Sequence, residues 1–551
     1  MTSLRTFQTE IDEIQHREVA RQRAQAISER AKEKEVKKAS VKPPAAKETE
    51  EASRADAPVP NQSSDTEYTD LDEELQTLLL SRIQSNIDRA RDIIASLLTR
   101  YRGEYIFRIG AHPLHAKLFT GQPVTDNDVW NGPARTPEEL QNLIEETTKV
   151  VDEVGGKTSI LFDSRIDHPR AALLLRLPPA DVSLTPEVRC AVVGNVDSGK
   201  STTLGVLTRG ALDDGRGRAR VSLFRHKHEI ESGRTSSVGM EILGFGPSGA
   251  PILPSTSHSN DPDIIRREKM GWEEISTQAS KIVSFSDLAG HERYLKTTLY
   301  GLTSGAPSCV ILIVGGNAGL IGMSKEHLAI ALALSVPVVV CVTKIDMTPP
   351  NILAKTIEQV SKILKSPGCR KTPVFVKSAE TAVAISQVFA KERLCPIFQL
   401  SNVTGEGLDF LRTFLNLLPS SEGDTEKFLV DQPLEYSITE VWSVPYVGTV
   451  VDGILNSGSV KAGDAVMLGP DANGNYLTTA IKSIQRKRAP VTTAEAGQCV
   501  SFALKRVRRA ARFARAAVRR AGAHLVPQYY IAEELSGDAT LWRCETDRAN
   551  Y

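Results

Sequence analysis

Hydrophobic and polar positions divide the chain into stretches of different periodicity. Between about residues 70 and 100, apolar side chains recur at helical spacing, which predicts amphipathic helices. Strand-like runs follow at 159–162 and 172–177. We therefore expect a small α+β domain over residues 70–185.

A different pattern begins at about residue 186 and continues to 422. Short β-branched runs alternate with helical stretches, which predicts a mostly parallel sheet with helices on both faces. Clusters of Gly, Pro, Ser and Asn interrupt this pattern at 242–274, where we expect an inserted, mobile surface loop. From 428 to 504, short strands separated by turns predict a small β-barrel.

The two ends of the chain are polar. Residues 1–69 mix charged residues with Ala, Ser and Pro and hold few large apolar side chains, so we predict a disordered charged tail. Residues 505–551 begin with a basic run rich in Ala and Arg, whose propensity favours a helix. We interpret them as an atypical basic tail. Binding of RNA or an anionic surface is one explanation for it, and a truncated or misread C-terminus is the other.

The first chemical signal is a G-x-x-x-x-G-K-S pattern between a buried strand and a helix. Such a loop wraps a polyphosphate, because its glycines let backbone N–H groups point inward as an anion nest. Lys200 would reach the β- and γ-phosphates, and the Ser201 hydroxyl would bind Mg²⁺. The predicted phosphate-binding residues are Gly194, Asn195, Val196, Asp197, Ser198, Gly199, Lys200, Ser201 and Thr202.

A D-x-x-G pattern lies further along, at the end of an apolar run. Asp287 is the strand-borne acid expected to support Mg²⁺, and Gly290 can approach a γ-phosphate because it has no side chain. His291 follows at once and is the candidate for positioning the attacking water. Between the two motifs, Thr235 is the hydroxyl that we expect to sense the γ-phosphate through Mg²⁺, with Ser236 and Ser237 as competitors.

Two further motifs point to guanine. A β-branched strand delivers T-K-x-D at its carboxyl end, where open α/β sheets bind ligands. The Asp346 carboxylate can accept the two donors that guanine presents and adenine lacks, and Lys344 would lie over the base and ribose. A later loop, in which a backbone N–H would contact the guanine oxygen, completes the set. The predicted base-binding residues are Thr343, Lys344, Asp346, Ser401, Asn402 and Val403.

Composition adds few constraints. The 551 residues carry 67 basic and 67 acidic side chains, so no global field draws the chain to nucleic acid. None of the seven cysteines forms a C-x-x-C pair, which indicates reduced thiols and a cytoplasmic protein. No apolar run is long enough to cross a bilayer, so we expect no membrane partner.

These motifs, together with the run at 224–239, resemble the GTP-binding protein 1 and GTP-binding protein 2 family, relatives of elongation factors Tu and 1-alpha within the translational GTPases. The resemblance covers about 187–505. It implies a P-loop GTPase domain followed by an elongation-factor-like barrel, and it makes Thr343, where most GTPases have Asn, a family trait. It also implies a second barrel after residue 505, in place of which we find the basic tail.

The sequence thus predicts a GTP hydrolase that works as a GTP/GDP conformational switch with Mg²⁺. His291 is the catalytic candidate, and Ser201, Thr235 and Asp287 are the metal ligands. The resemblance implies the ribosome and tRNA or other RNA as partners. A basic patch on the barrel, formed by Lys482, Arg486, Lys487 and Arg488, is a candidate RNA contact. The alternatives are a nucleotide-dependent scaffold that hydrolyses little GTP and a kinase or ATPase using the same loop.

Overall fold

The computed structural model describes residues 63–544 with internal gaps. Almost all of this stretch belongs to one compact unit, Thr69–Tyr551. The gaps lie at 126–127, 222, 225–226, 255–269, 391–392, 421–427, 470–475, 506, 508–516, 521–529 and 536–538.

The N-terminal part packs helices on a small antiparallel sheet in the order β1-β5-β4. Its core contains Leu75, Ile94 and Leu143, all fully buried or nearly so. The helices and strands predicted here are confirmed. The helices are α1 Ser63–Leu80, α2 Gln84–Arg100, α3 His115–Leu118 and α4 Pro137–Glu153. The strands are β1 Glu104–Gly110, β2 His112–Pro113, β3 Trp130–Asn131, β4 Lys157–Ser164 and β5 Arg170–Arg176.

The disordered tail predicted over residues 1–69 is wrong at its C-terminal end, because α1 begins at Ser63. Leu75 and Leu79 lie on one face of this helix and are buried. Their packing stabilises α1, and the helix therefore continues toward its N-terminus. Residues 1–62 lie outside the described residues.

An eight-stranded sheet forms the centre of the molecule, in the order β12-β13-β11-β10-β6-β9-β7-β8. All its pairings are parallel except β7 with β9 and β7 with β8. Its strands are β6 Glu187–Gly194, β7 Gly239–Phe245, β8 Pro251–Ile252, β9 Lys281–Asp287, β10 Cys309–Gly315, β11 Val338–Thr343, β12 Thr372–Phe375 and β13 Leu394–Gln399.

Nine helices accompany this sheet in the described part of the chain, and apolar clusters fill both of its faces. They are α5 Lys200–Arg209, α6 Arg218–Val221, α7 Lys227–Ser232, α8 Trp272–Gln278, α9 Leu295–Ser304, α10 Met323–Ala333, α11 Pro350–Lys365, α12 Ala379–Val388 and α13 Leu408–Leu417. Short 3₁₀ turns lie at Val182–Leu184 and Glu292–Tyr294.

Parallel pairing brings the sequence motifs to one edge of the sheet. Strands β6, β9, β11 and β13 run in the same direction, so the residues that follow them share the carboxyl edge. At this edge, open α/β sheets bind their ligands.

The prediction of a surface loop over 242–274 is wrong at both ends of this segment. Residues 242–245 belong to β7, where Ile242 and Phe245 are buried against the sheet. The stretch from Trp272 onward starts α8. The Gly and Pro clusters predicted a loop, but the segment begins with part of β7, which pairs with β9 in the antiparallel direction. Residues 255–269 lie outside the described residues.

The last part of the chain is the predicted β-barrel, and the P-loop domain followed by a barrel is therefore confirmed. Its sheet runs β17-β22-β14-β15-β21-β18-β19, and a further β17–β18 pairing closes the ring. Its strands are β14 Glu435–Val444, β15 Gly448–Ser457, β17 Ala465–Gly469, β18 Leu477–Arg486, β19 Ala489–Val491, β21 Cys499–Leu504 and β22 Ala517–Arg520. Two short strands, β16 Ser459–Lys461 and β20 Thr493–Glu495, pair with each other in a separate two-stranded sheet. Beyond it, β23 Tyr530–Leu535 pairs with β24 Ala539–Cys544.

The helix favoured for the basic run is wrong at 517–520, because these residues form strand β22. This strand pairs with both β14 and β17, so the hydrogen bonds of two neighbours outweigh the helical propensity of Ala and Arg. Residues 508–516 lie outside the described residues.

The basic patch predicted on the barrel is also wrong, because two of its members are buried against the central domain. Arg486 donates to the backbone oxygen of Thr185 at 2.6 Å. Lys487 pairs with the buried carboxylate of Glu187 at 2.8 Å. The Arg488 guanidinium lies 5.0 Å from the centre of the Trp272 ring. This basic run binds the barrel to the central domain.

We find no α-helix with both the length and the apolar character to cross a bilayer among the residues that the structure describes.

Candidate functional site

The phosphate loop follows β6, whose residues are all buried. Asp197 and Gly199 have positive φ angles of 57° and 95°, so the backbone bends sharply before α5 begins at Lys200. Two side chains of α10 fix the start of the loop. His327 Nδ1 accepts from the N–H of Gly194 at 3.2 Å, and Ser324 Oγ accepts from the N–H of Asn195 at 2.9 Å. No sequence motif predicts these two contacts.

Lys200 is buried in this loop. Its ammonium group donates to the backbone oxygen of Asn195 at 2.7 Å. Burial lowers the pKa of Lys200 to about 8, although the carboxylates of Asp287 and Asp197 act in the opposite direction. A phosphate group in the loop would add negative charge and raise the pKa of Lys200 again.

Three side-chain oxygens predicted as metal ligands lie together. Ser201 Oγ donates to Asp287 Oδ2 at 2.6 Å, and it lies 2.8 Å from Thr235 Oγ1. Asp287 Oδ1 is buried and has no hydrogen-bond partner among the residues described. Burial raises the pKa of Asp287 to about 6, against the effects of Ser201 and Lys200. Hard oxygen donors and an unsatisfied carboxylate oxygen suit Mg²⁺.

Gly290 packs directly on the phosphate loop. A Cβ atom at this position would overlap Lys200 Nζ and lie 2.6 Å from the backbone oxygen of Gly194. Only glycine therefore allows this approach.

His291 follows Gly290 and lines the same cleft. Its Nδ1 accepts from the N–H of Arg293 at 3.1 Å, which places the proton of the neutral ring on Nε2. In this tautomer, Nε2 is the hydrogen-bond donor of the ring.

The segment around Thr235 is held by a side chain that the sequence did not single out. The buried carboxylate of Glu229 accepts through one oxygen from the N–H and hydroxyl groups of both Ser236 and Ser237, at 2.8 to 3.2 Å. His228 Nε2 lies 2.8 Å from Ser236 Oγ. Ser236 and Ser237 therefore bind Glu229, and Thr235 alone of the three faces Ser201.

The base-binding candidates lie at the carboxyl ends of β11 and β13. Ser401 Oγ donates to Asp346 Oδ1 at 2.8 Å and accepts from the N–H of Val403 at 3.2 Å. Asn402 Nδ2 donates to Thr203 Oγ1 at 3.0 Å. Lys344 has a positive φ of 62°. The two loops are thus joined to each other and to α5.

An open cleft of about 370 Å³ lies over the phosphate loop. It brings together most of the loop with Thr235, Gly290 and His291, whereas the base-binding residues lie outside its lining. The lining residues are Val196, Asp197, Gly199, Lys200, Ser201, Thr202, Arg220, His228, Ser232, Gly233, Arg234, Thr235, Ser236, Gly290, His291, Arg293 and Tyr294.

Comparison with known proteins agrees with this geometry. Residues 185–420 match the elongation factor Tu GTP binding domain, and residues 448–510 match elongation factor Tu domain 2. The chain is 54% identical over 323 residues to GTP-binding protein 1 of Xenopus laevis, covering 59% of this chain and 48% of that protein. It is 42% identical over 411 residues to GTP-binding protein 2 of Homo sapiens, covering 73% of this chain and 64% of that protein.

Among solved structures, a bacterial selenocysteine-specific elongation factor matches with a TM-score of 0.41 and 22% identity, covering 63% of this chain and 46% of the other. The chain spans about half to two thirds of the length of the curated relatives named above.

Proposed function

We propose that this chain, which belongs to the translational GTPase family, binds GTP with Mg²⁺, hydrolyses it and uses loss of the γ-phosphate as a conformational switch. The observation that supports this proposal most is the contact of Ser201 Oγ with both Thr235 and Asp287. It joins three distant segments at the site where the terminal phosphate would lie.

Backbone N–H groups from Asn195 to Lys200 would hold the phosphates, and the dipole of α5 would add positive potential. Lys200 would exchange its bond to the Asn195 oxygen for the β- and γ-phosphates. Thr202 and Gly290 complete the wall around them.

Ser201, Thr235 and Asp287 would hold the metal ion, Asp287 in support and Thr235 only while GTP is bound. The ion supplies positive charge that neutralises the β- and γ-phosphate oxygens as the bond breaks. Asp197 lines the same cleft, where the phosphates would lie.

Asp346 would accept the two guanine donors, and the hydrogen bond from Ser401 orients its carboxylate for this purpose. Lys344 would cover the base. Asn402 and Val403 belong to the loop that closes over the guanine edge, with Val403 held by Ser401. Adenine presents no matching donor pair, so these contacts would select GTP.

His291 would orient the water that attacks the γ-phosphorus in line with the leaving GDP. Because the neutral ring carries its proton on Nε2, it would donate a hydrogen bond to the water rather than remove a proton. The overall reaction converts GTP and water to GDP and phosphate.

Loss of the γ-phosphate would release Thr235 and Gly290 and change the surface around them. Strand β6 offers a route from the loop to the barrel. Arg189, on this strand, donates to the backbone oxygen of Gly497 at 2.6 Å. By family resemblance, we infer a cytoplasmic role beside the ribosome, with tRNA or other RNA as partner.

Competition binding with fluorescent GTP tests the nucleotide assignment. We expect unlabelled GTP and GDP to displace the probe far better than ATP, in a Mg²⁺-dependent way. Replacement of Asp346 by Asn should shift the preference to xanthosine triphosphate, because the amide can donate to the extra oxygen of xanthine. Equal displacement by ATP and GTP would favour a kinase or ATPase and contradict the proposal.

A further inference from the structure

The turn between α5 and α6 is held in place by one side chain. The buried carboxylate of Asp213 accepts from the N–H groups of Gly215, Gly217 and Ala219 at 2.9 to 3.1 Å. One side chain therefore fixes the path of the backbone over six residues and directs the start of α6.

This turn is anchored to the nucleotide-binding loops on two sides. The N–H of Asp213 donates to the backbone oxygen of Asn402 at 2.8 Å. On the other side, Ala219 packs on α5 at Gly205, where a Cβ atom would overlap the Ala219 carbonyl. The residue that follows Ala219 is thus held in a fixed position relative to the phosphate loop.

That residue is Arg220, which lines the cleft together with Lys200 and His291. Its guanidinium group lies against backbone, and a Cβ atom at Gly233 would be 3.1 Å from Arg220 Nη2. The guanidinium makes no hydrogen bond or ion pair with any residue that the structure describes. A half-buried arginine that faces a polyphosphate site without an acceptor is suited to an anion from outside.

The other cations of the cleft differ from Arg220. Arg234 and Arg293 are exposed, and Lys200 bonds the Asn195 oxygen and already has an assigned role at the phosphates. Arg220 alone combines partial burial, a fixed backbone and a side chain without an acceptor in the described residues.

We propose that Arg220 is a further catalytic residue, a cation that this chain supplies in cis to the terminal phosphates of GTP. This inference rests on the proposed GTP hydrolysis. The planar guanidinium would bind oxygens of the β- and γ-phosphates and stabilise the negative charge that shifts toward them as the bond to the γ-phosphorus breaks. Arg220 transfers no proton, and GTP and water become GDP and phosphate.

The test compares Arg220→Ala and Arg220→Lys with the wild type, and uses Arg216→Ala as the matched control. Arg216 is exposed four residues earlier and lies outside the cleft. For each protein we would measure the affinity for GTP and GDP, the single-turnover rate of GTP hydrolysis, and the binding of GDP with aluminium fluoride. Thermal unfolding checks that each variant folds.

We expect Arg220→Ala to bind GDP like the wild type, to hydrolyse GTP at least about 10-fold more slowly and to lose aluminium fluoride binding. Arg220→Lys should fold and keep part of the rate. Added methylguanidine should restore hydrolysis by Arg220→Ala, which a purely structural defect would not allow.

A wild-type rate in both Arg220 variants would overturn the inference and leave the proposed function intact. Equal loss of GDP and GTP binding in Arg220→Ala, with no rescue by methylguanidine, would also overturn it, because Arg220 would then only support the loop. Absence of hydrolysis in the wild type and the Arg216 control alike would overturn the proposed function and this inference together.

Discussion

The hydroxyl of Thr343 donates to the backbone oxygen of Ser198 at 2.6 Å, and so ties the base-binding motif to the phosphate loop. Thr343 is fully buried, and its Oγ1 lies 3.4 Å from the backbone oxygen of Val314. A hydroxyl can donate only one hydrogen bond, and here the backbone oxygen of Ser198 accepts it. Thr343 therefore acts on the loop, and Asp346 is left to select the base.

Removal of this bond should weaken the phosphate loop. Thr343→Val keeps the shape but leaves the Ser198 oxygen without its donor, which we expect to destabilise the fold by about 1–3 kcal/mol. GTP and GDP affinity should fall together, because both nucleotides use the loop. Urea unfolding and nucleotide titration measure the two effects. Thr343→Ser keeps the hydroxyl and should behave like the wild type, and wild-type values for Thr343→Val would show that the bond contributes nothing.

Loss of the Glu229 carboxylate should weaken the binding of GTP and leave the binding of GDP unchanged. Its carboxylate holds Ser236 and Ser237, and with them the position of Thr235, which we expect to bind the metal only with GTP. Glu229→Gln keeps one accepting oxygen but removes the negative charge that strengthens these hydrogen bonds, so it should lower the affinity for a non-hydrolysable GTP analogue by about 10-fold. GDP affinity should stay unchanged. Glu231→Gln, at an exposed position two residues later, is the control. Equal losses for both nucleotides would argue against this role.

The junction between the central domain and the barrel contains a buried charge cluster. Burial alone would raise the pKa of Glu187, but the charges of Lys487, Arg189 and Arg486 outweigh it and lower the pKa to about 2. Glu187→Gln would leave these cations without their carboxylate, so we expect a loss of about 3–5 kcal/mol in the free energy of unfolding.

A double-mutant cycle tests this assignment. Lys487→Met should also destabilise the chain, and the double variant should lose less stability than the two single variants combined, since it buries no unmatched charge at this pair. Strict additivity in urea unfolding would show that the 2.8 Å contact carries no coupling.

His327 should make stability depend on pH. Burial and the charge of Lys200 lower its pKa to about 4, compared with about 6.5 in an unfolded chain. The unfolded state therefore binds the proton more readily, and stability falls as the pH drops from about 6.5 to 4. The full loss is roughly 3 kcal/mol. Urea unfolding of His327→Gln, which keeps an acceptor but does not titrate, should show a shallower decline. Parallel declines would contradict the assignment.

Local sequence motifs were sufficient to predict which candidate residues share one edge of the sheet. Asp287 ends a buried strand, Ser201 and Asp346 come after buried strands, and parallel pairing brings the ends of such strands to one edge. The P-loop domain and the barrel could be predicted for the same reason, because their strand and turn patterns are read from neighbouring residues.

Contacts between distant residues could not be predicted in this way. Arg486 lies in a run that looks solvated, and only its bond to Thr185, 301 positions away, shows that it is buried. Strand β22 forms because β14 and β17 are available on both sides, which no local propensity encodes. The contacts of Glu229 and His327 with the nucleotide loops likewise depend on the fold.

Single-turnover GTP hydrolysis by the wild type and His291→Ala, with and without ribosomes, tests the central claim most directly. We expect slow hydrolysis by the wild type alone and a strong increase with ribosomes. His291→Ala should bind GTP normally and fail to respond. Tight, Mg²⁺-dependent GTP binding without any ribosome-stimulated hydrolysis, or an unchanged rate in His291→Ala, would contradict the account and favour a nucleotide-dependent scaffold.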